Sequence, residues 1–236
     1  MSEMPWDFWL TFLVLGIVIP WRGQVRLKHL LAQPAVDTRE KLVLYATTIS
    51  VQWILAGIVA WRSSVRGLTF VDLGLGHAFT MSIVLWSLVG CIFFGVFHWF
   101  NLRRVARMTG PVPDLMRSLA ERVLPRSAVE LAPYVALAIT AGVCEEFLYR
   151  GFAMAALANT GISRWTVVGI SSVLFGLAHT YQGRSGVFGT TLLGLLFGTA
   201  RLYVQSLTPM MAWHAALDVV AGIAGPRYLL SRQIYR

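Results

Sequence analysis

The chain has 236 residues, 56% of them hydrophobic and 13% charged, with a mean hydropathy of +0.64 and a net charge of +9. A soluble domain carries roughly 25% charged and about 45–50% apolar residues, so this composition excludes an ordinary soluble fold and describes an integral membrane protein. The basic excess then reads as topology signal and anionic-lipid contact in loops between apolar runs, not as a nucleic-acid surface.

A membrane span needs about 20 mostly apolar residues. In chain order the candidates are Trp6–Trp21, Leu42–Trp61, Phe79–Phe100, Leu131–Leu157, Trp165–Thr180, Val187–Val204 and Leu207–Ala224. The first is short and ends at Pro20. Between the third and fourth, Asp114–Leu124 alternates charges with Leu and Met at helical spacing, the pattern of an amphipathic helix lying in the interface. Trp6, Trp61, Trp99 and Tyr203 at segment ends suit an aromatic belt. The expected fold is all-α: a polytopic transmembrane helical bundle of about seven spans, with the interfacial helix before the fourth. Residues 1–236 read as one membrane domain, with a functional core over 131–224. The first seven residues hold two acids and no Lys or Arg, unlike a cleaved signal peptide.

Basic residues predict orientation. Arg22, Arg26, Lys28, Arg39 and Lys41 follow the first span, and Arg103, Arg104, Arg107, Arg117, Arg122 and Arg126 follow the third. With Arg184, Arg227, Arg232 and Arg236 they place 15 of the 20 basic residues on one side. Arg62, Arg66, Arg164 and Arg201 fall on the other. The positive-inside rule then puts the N-terminus outside and the C-terminus in the cytoplasm. In this arrangement His179 lies near the cytoplasmic end of its helix, whereas Glu145 is about 21 Å into its own at 1.5 Å per residue. Either the fourth helix starts well inside the cytoplasm or the fifth reaches deeper.

Three of the eleven acidic residues, Glu145, Glu146 and Asp218, lie deep inside apolar segments, away from their ends. A charge at bilayer depth costs about 2.5–3.5 kcal/mol even on insertion scales, so it marks a functional site by default. Glu146 and Arg150 are i,i+4 neighbours in the favourable order of acid before base. Glu145 points about 100° away from Glu146 and has Tyr149 at i+4, which leaves it the freer carboxylate and the better general base. The bland alternative makes both glutamates polar glue between helices, a task usually given to Ser, Thr, Asn or Gln. Phe175 shares a helix face with His179, and His214 shares one with Asp218. His29, His77 and His98 lie in loops or at a span end and carry no such company. Cys91 and Cys144 suggest neither a disulfide framework nor a metal cluster, and a helical thiol in apolar surroundings is usually inert.

Glu145-Glu146-x-x-x-Arg150, Phe175-x-x-x-His179 and His214-x-x-x-Asp218 occur in that order on successive apolar segments. This pattern resembles the CPBP (Abi) family of intramembrane proteases, which includes the type II CAAX prenyl endopeptidases and bacterial bacteriocin-processing and immunity proteins. The resemblance covers roughly residues 131–224; the first three spans match only in being hydrophobic. It implies a helical bundle with a water-filled cavity and hydrolysis of a peptide bond near the membrane. By the same resemblance Glu145 and His179 activate water, and His214, with Asp218 orienting it or sharing the load, stabilises the oxyanion. Glu146 and Arg150 brace the site or hold a substrate carboxylate. The prenyl endopeptidase branch usually ends its third motif in Asn, where this chain has Asp218.

No cofactor is required by this scheme. The alternative is a zinc ion held by Glu145, His179 and His214, although a His-Glu-x-x-His helix is absent. The expected partners are the lipid bilayer and a membrane-associated peptide or protein, prenylated or not, with no nucleic acid. The expected location is the plasma membrane of a prokaryote. A non-catalytic scaffold or a transporter is the competing class; a secondary transporter would show two related halves, and here the polar residues sit in the second half alone.

Overall fold

The computed structural model describes residues 4–76 and 80–230. His77, Phe79, Arg232 and Arg236 lie outside the described residues. All regular structure among those described is helical: α1 Trp6–Ala32, α2 Thr38–Val65, α3 Met81–Arg107, α4 Pro111–Val123, α5 Ala128–Ala158, α6 Arg164–Ala178, α7 Gly183–Val204 and α8 Thr208–Gly225. Among the described residues, five stretches are long and apolar enough to cross a membrane: α1, α2, α3, α5 and Thr180–Val204, which contains α7. The chain is an integral membrane helical bundle. The expected count of seven spans is not met by this measure: α6 has 15 residues, and α8 carries His214 and Asp218 within its 18.

The expected first boundary, at Pro20, is also displaced. Proline removes an N–H and clashes with the carbonyl four residues back, which here belongs to Gly16. That residue sits in a wide π turn, Val14–Val18, that opens the helix ahead of the proline, and α1 runs on to Ala32. Arg22, Arg26 and Lys28 are therefore helical rather than loop residues, and Arg26 donates to the hydroxyls of Thr47 and Thr48 on α2 at 3.0 and 2.8 Å.

α2 starts with a capping box: Glu40 N–H donates to Asp37 Oδ1 and Asp37 N–H to Glu40 Oε2. Lys41, expected as a loop topology signal, is buried instead. Its Nζ lies 3.1 Å from Glu130 Oε2 and donates to the Leu124 carbonyl at 2.7 Å. Thr38 Oγ1 and the Arg126 N–H complete the shell of Glu130, each at 2.7 Å. At the other end of α2, Arg62 and Arg66 hold the buried Asp7 of α1 at 2.6 and 3.1 Å. Ionic contacts thus pin α2 at both ends, which fixes the height of its middle. The amphipathic α4 forms as expected; its Arg122 donates to the carbonyls of Leu30 and Gln33 at 2.7 and 3.0 Å, tying it to the end of α1.

α5 packs between α2 and α8, α8 also packs on α3, and α6 pairs with α7. The α5–α8 crossing depends on Gly142: a Cβ there would sit 2.7 Å from the Met211 carbonyl and 2.8 Å from the Ala215 nitrogen. Small residues let helices approach closely in a membrane. The depth conflict between Glu145 and His179 is resolved by helix lengths. α5 spans 31 residues, about 46 Å, and α6 only 15, about 22 Å. α6 ends part-way through the bundle, followed by a short 3₁₀ turn at Thr180–Gln182 and Gly183 at φ +76°. A left-handed φ suits glycine, and it lets the chain reverse into α7.

Candidate active site

Glu145 and Glu146 close the regular first part of α5, just before a second wide turn at Phe147–Ala153. Such π turns recur at functional sites. The Tyr149 carbonyl within it accepts from Ser171 Oγ of α6 at 2.7 Å, which fastens the two helices at the level of the glutamates.

The two carboxylates face different neighbours, as their helical offset requires. Glu146 is fully buried, and its Oε1 accepts from Arg150 Nη1 at 3.0 Å and from His214 Nδ1 at 2.9 Å. Glu145 Oε1 accepts from Gln52 Nε2 of α2 at 2.8 Å. Glu145 Oε2 is buried without a hydrogen-bond partner, 3.9 Å from His179 Nε2 and 4.0 Å from His214 Nε2. Those separations are too long for direct hydrogen bonds.

Each histidine has one ring nitrogen fixed. His179 Nδ1 lies 2.8 Å from the Phe175 carbonyl, an acceptor only, so Nδ1 carries the proton and Nε2 faces Glu145. His214 Nδ1 donates to Glu146, which also turns its Nε2 towards Glu145. Phe175 packs among these groups: its ring centroid is 4.7 Å from that of His179 and 5.7 Å from that of His214, and Arg150 Cζ lies 4.1 Å above its face. This cation–π contact helps to hold a guanidinium whose side chain has no solvent exposure.

All six residues expected from the sequence come to one place. Asp218 Oδ2 is 3.8 Å from His214 Nε2, beyond hydrogen-bond reach, and its side chain is 39% exposed. His214 Nδ1 bonds Glu146 of α5 at 2.9 Å, so the contact that fixes its ring is to Glu146. Arg150 is buried between Glu146 and Phe175; its Nη1 is bonded to Glu146, and its Nε and Nη2 are buried without a partner. Gln52 was missed. Its signal was a lone amide in the middle of an apolar span, weaker than a charge. His29 and His98 lie on α1 and α3, outside the cluster.

Among the described residues no three His, Cys, Asp or Glu side chains are grouped to hold a metal ion. Tetrahedral zinc with bonds of ~2.0–2.2 Å brings ligand atoms to roughly 3.3–3.6 Å of one another. Glu145 Oε2 stands 3.9 and 4.0 Å from the two imidazoles, so the zinc set of Glu145, His179 and His214 is too open as it stands. A groove of about 510 Å³ runs between α1 and α7, lined by Gln24, Thr180, Gly183, Arg184, Val187, Phe188 and Thr191.

Residues 127–220 match the family model "Type II CAAX prenyl endopeptidase Rce1-like". The matched stretch contains Glu145, Glu146, Arg150, His179, His214 and Asp218, consistent with the CPBP family, and it supports a type II CAAX-type intramembrane protease. No curated protein and no solved structure matches the chain.

Proposed function

We propose, from an Rce1-like domain whose polar residues converge inside a membrane bundle, that the chain is an intramembrane endopeptidase that hydrolyses its substrate with activated water. One observation carries the reading: Glu145 Oε2 is unpartnered and faces the Nε2 atoms of both His179 and His214, at 3.9 and 4.0 Å. Glu145 takes a proton from the water as its oxygen attacks the scissile carbonyl. His179 Nε2, with its lone pair exposed, accepts the water's second hydrogen and aims the attack. His214 in its imidazolium form donates from both nitrogens, to Glu146 and to the developing oxyanion. Donors in that position are worth ~2.7–4 kcal/mol where they have been removed. Glu145 then passes its proton to the leaving amine.

The substrate is a membrane-associated peptide, of which a prenylated CAAX-type C-terminus is one form. A reactive centre inside a membrane bundle needs a lateral route, and the groove that includes Thr180, the residue after His179, is the candidate for it. The protein resides in the plasma membrane of a prokaryote with its C-terminus in the cytoplasm, where the positive-inside rule places the exposed arginines that end α3.

The test is cleavage of internally quenched peptides, farnesylated and unlipidated, by purified protein in detergent. Wild type is expected to cleave and Glu145→Ala to be inactive while remaining folded, since Glu145 gives up only its bond to Gln52. Cleavage should also survive a strong chelator. Wild-type-like turnover by Glu145→Ala removes the assignment; activity lost to chelator and restored by zinc replaces it with a metalloprotease.

A further inference from the structure

We infer that Gln52 of α2 is a positioning residue for the water-activating carboxylate, so that the site is completed by a helix outside the matched domain. The inference rests on the proposed role of Glu145 and extends it to the N-terminal half of the chain.

The geometry is asymmetric. Of the two oxygens of Glu145, Oε1 is held by the Gln52 amide at 2.8 Å and Oε2 has no protein partner. A glutamate side chain turns freely about its last bond. A carboxylate with nothing on Oε1 would present either oxygen, in many orientations, to the two imidazoles. With Oε1 fixed, Oε2 alone is directed to the two Nε2 atoms, at 3.9 and 4.0 Å. Reacting groups displaced by about 1 Å can cost on the order of 100-fold in rate, so this restraint bears on turnover.

Gln52 is itself held in place. It lies fourteen residues from Thr38 at the start of α2, in the middle of an apolar helix. The ionic contacts of Lys41 with Glu130 and of Arg62 and Arg66 with Asp7 lock the two ends of that helix. A second bridge, Trp53 Nε1 to Thr140 Oγ1 at 3.2 Å, sets α2 against α5 one turn before Glu145. A polar amide in hydrocarbon is costly unless paired. The Gln52 amide nitrogen donates to Glu145, while its carbonyl oxygen is buried without a partner, which is an odd choice for a residue whose task is only to join two helices.

The test uses Gln52→Met, which keeps length and volume but removes the donor, and Gln52→Glu, whose side chain donates only when protonated. With a farnesylated quenched peptide as probe, Gln52→Met should lower kcat about 10–100-fold with KM nearly unchanged. Turnover of Gln52→Glu relative to wild type should rise as pH falls, a trend that a purely structural role would not produce. Wild-type kcat in Gln52→Met, or a pH-independent ratio for Gln52→Glu, overturns the inference. If Glu145→Ala is inactive while Gln52→Met is unaffected, only the role of Gln52 fails. If Glu145→Ala turns over normally, the reading of Glu145 fails and takes this inference with it. A thermal double-mutant cycle tests the hydrogen bond itself without turnover. Gln52→Met should lower the melting temperature in wild type and not in Glu145→Ala, where it removes an amide already left unpaired, and equal shifts in both backgrounds overturn the inference.

Discussion

Glu146→Ala offers the sharpest test of how the site is braced. Glu146 Oε1 accepts from both Arg150 and His214, and neither Glu146 nor Arg150 has any side-chain exposure. Removing one partner of a buried pair leaves the other charge uncompensated, at a cost of about 3–5 kcal/mol. The face of Phe175, 4.1 Å from Arg150, remains and returns part of this, so the lower half of the range is expected. For a chain of this size each kcal/mol moves the melting temperature by about 2–4 °C, giving a loss of roughly 6–16 °C. His214 would also lose the acceptor of its Nδ1, so turnover should fall with stability. The assay is fluorescence-detected thermal unfolding in detergent, run beside Glu146→Ala/Arg150→Met, in which the stranded charge is gone. That double variant should recover most of the lost stability. A melting temperature for Glu146→Ala within about 2 °C of wild type, or a double variant no better than the single, refutes the ion-pair account.

Gly142→Ala should destabilise by about 1–3 kcal/mol, because the added Cβ meets backbone atoms of Met211 and Ala215 that cannot rotate away; thermal unfolding reads this directly. It should also lower turnover by moving His214 off Glu146. Asp218→Asn should cost less than about tenfold in kcat/KM, against a loss of about 100-fold or more for His214→Ala, since Asp218 makes no hydrogen bond to His214 and is partly exposed. Comparable losses in the two variants would return the orienting role to Asp218.

The Lys41–Glu130 knot shows where sequence reasoning from charge goes astray. A lysine at the edge of an apolar run is ordinarily a topology signal, and nothing local distinguishes Lys41 from Arg39. What buries it is an acid 89 residues away, with the Leu124 carbonyl completing the shell. Pro20 misled for a related reason. Proline usually ends a helix, but the π turn that accommodates it depends on packing of Gly16 against Leu174 of α6 as well as on local preference.

The sequence by itself determined the helical class, the membrane setting, and the positions of Glu145, Glu146, Arg150, His179, His214 and Asp218. Charges in apolar runs are too costly to be incidental, and contacts at i,i+4, such as Arg150 to Glu146, follow from helical pitch alone. Tertiary structure decided everything that passes between helices. It chose Glu146 over the i,i+4 Asp218 as the partner of His214, directed Glu145 Oε2 to two imidazoles and supplied Gln52 from α2. Those outcomes depend on the rotation and height of each helix, which the closeness of the crossing at Gly142 and the ionic anchors at the ends of α2 set. Periodicity along one helix says which face a residue occupies, and it carries no information about which residue of another helix stands opposite.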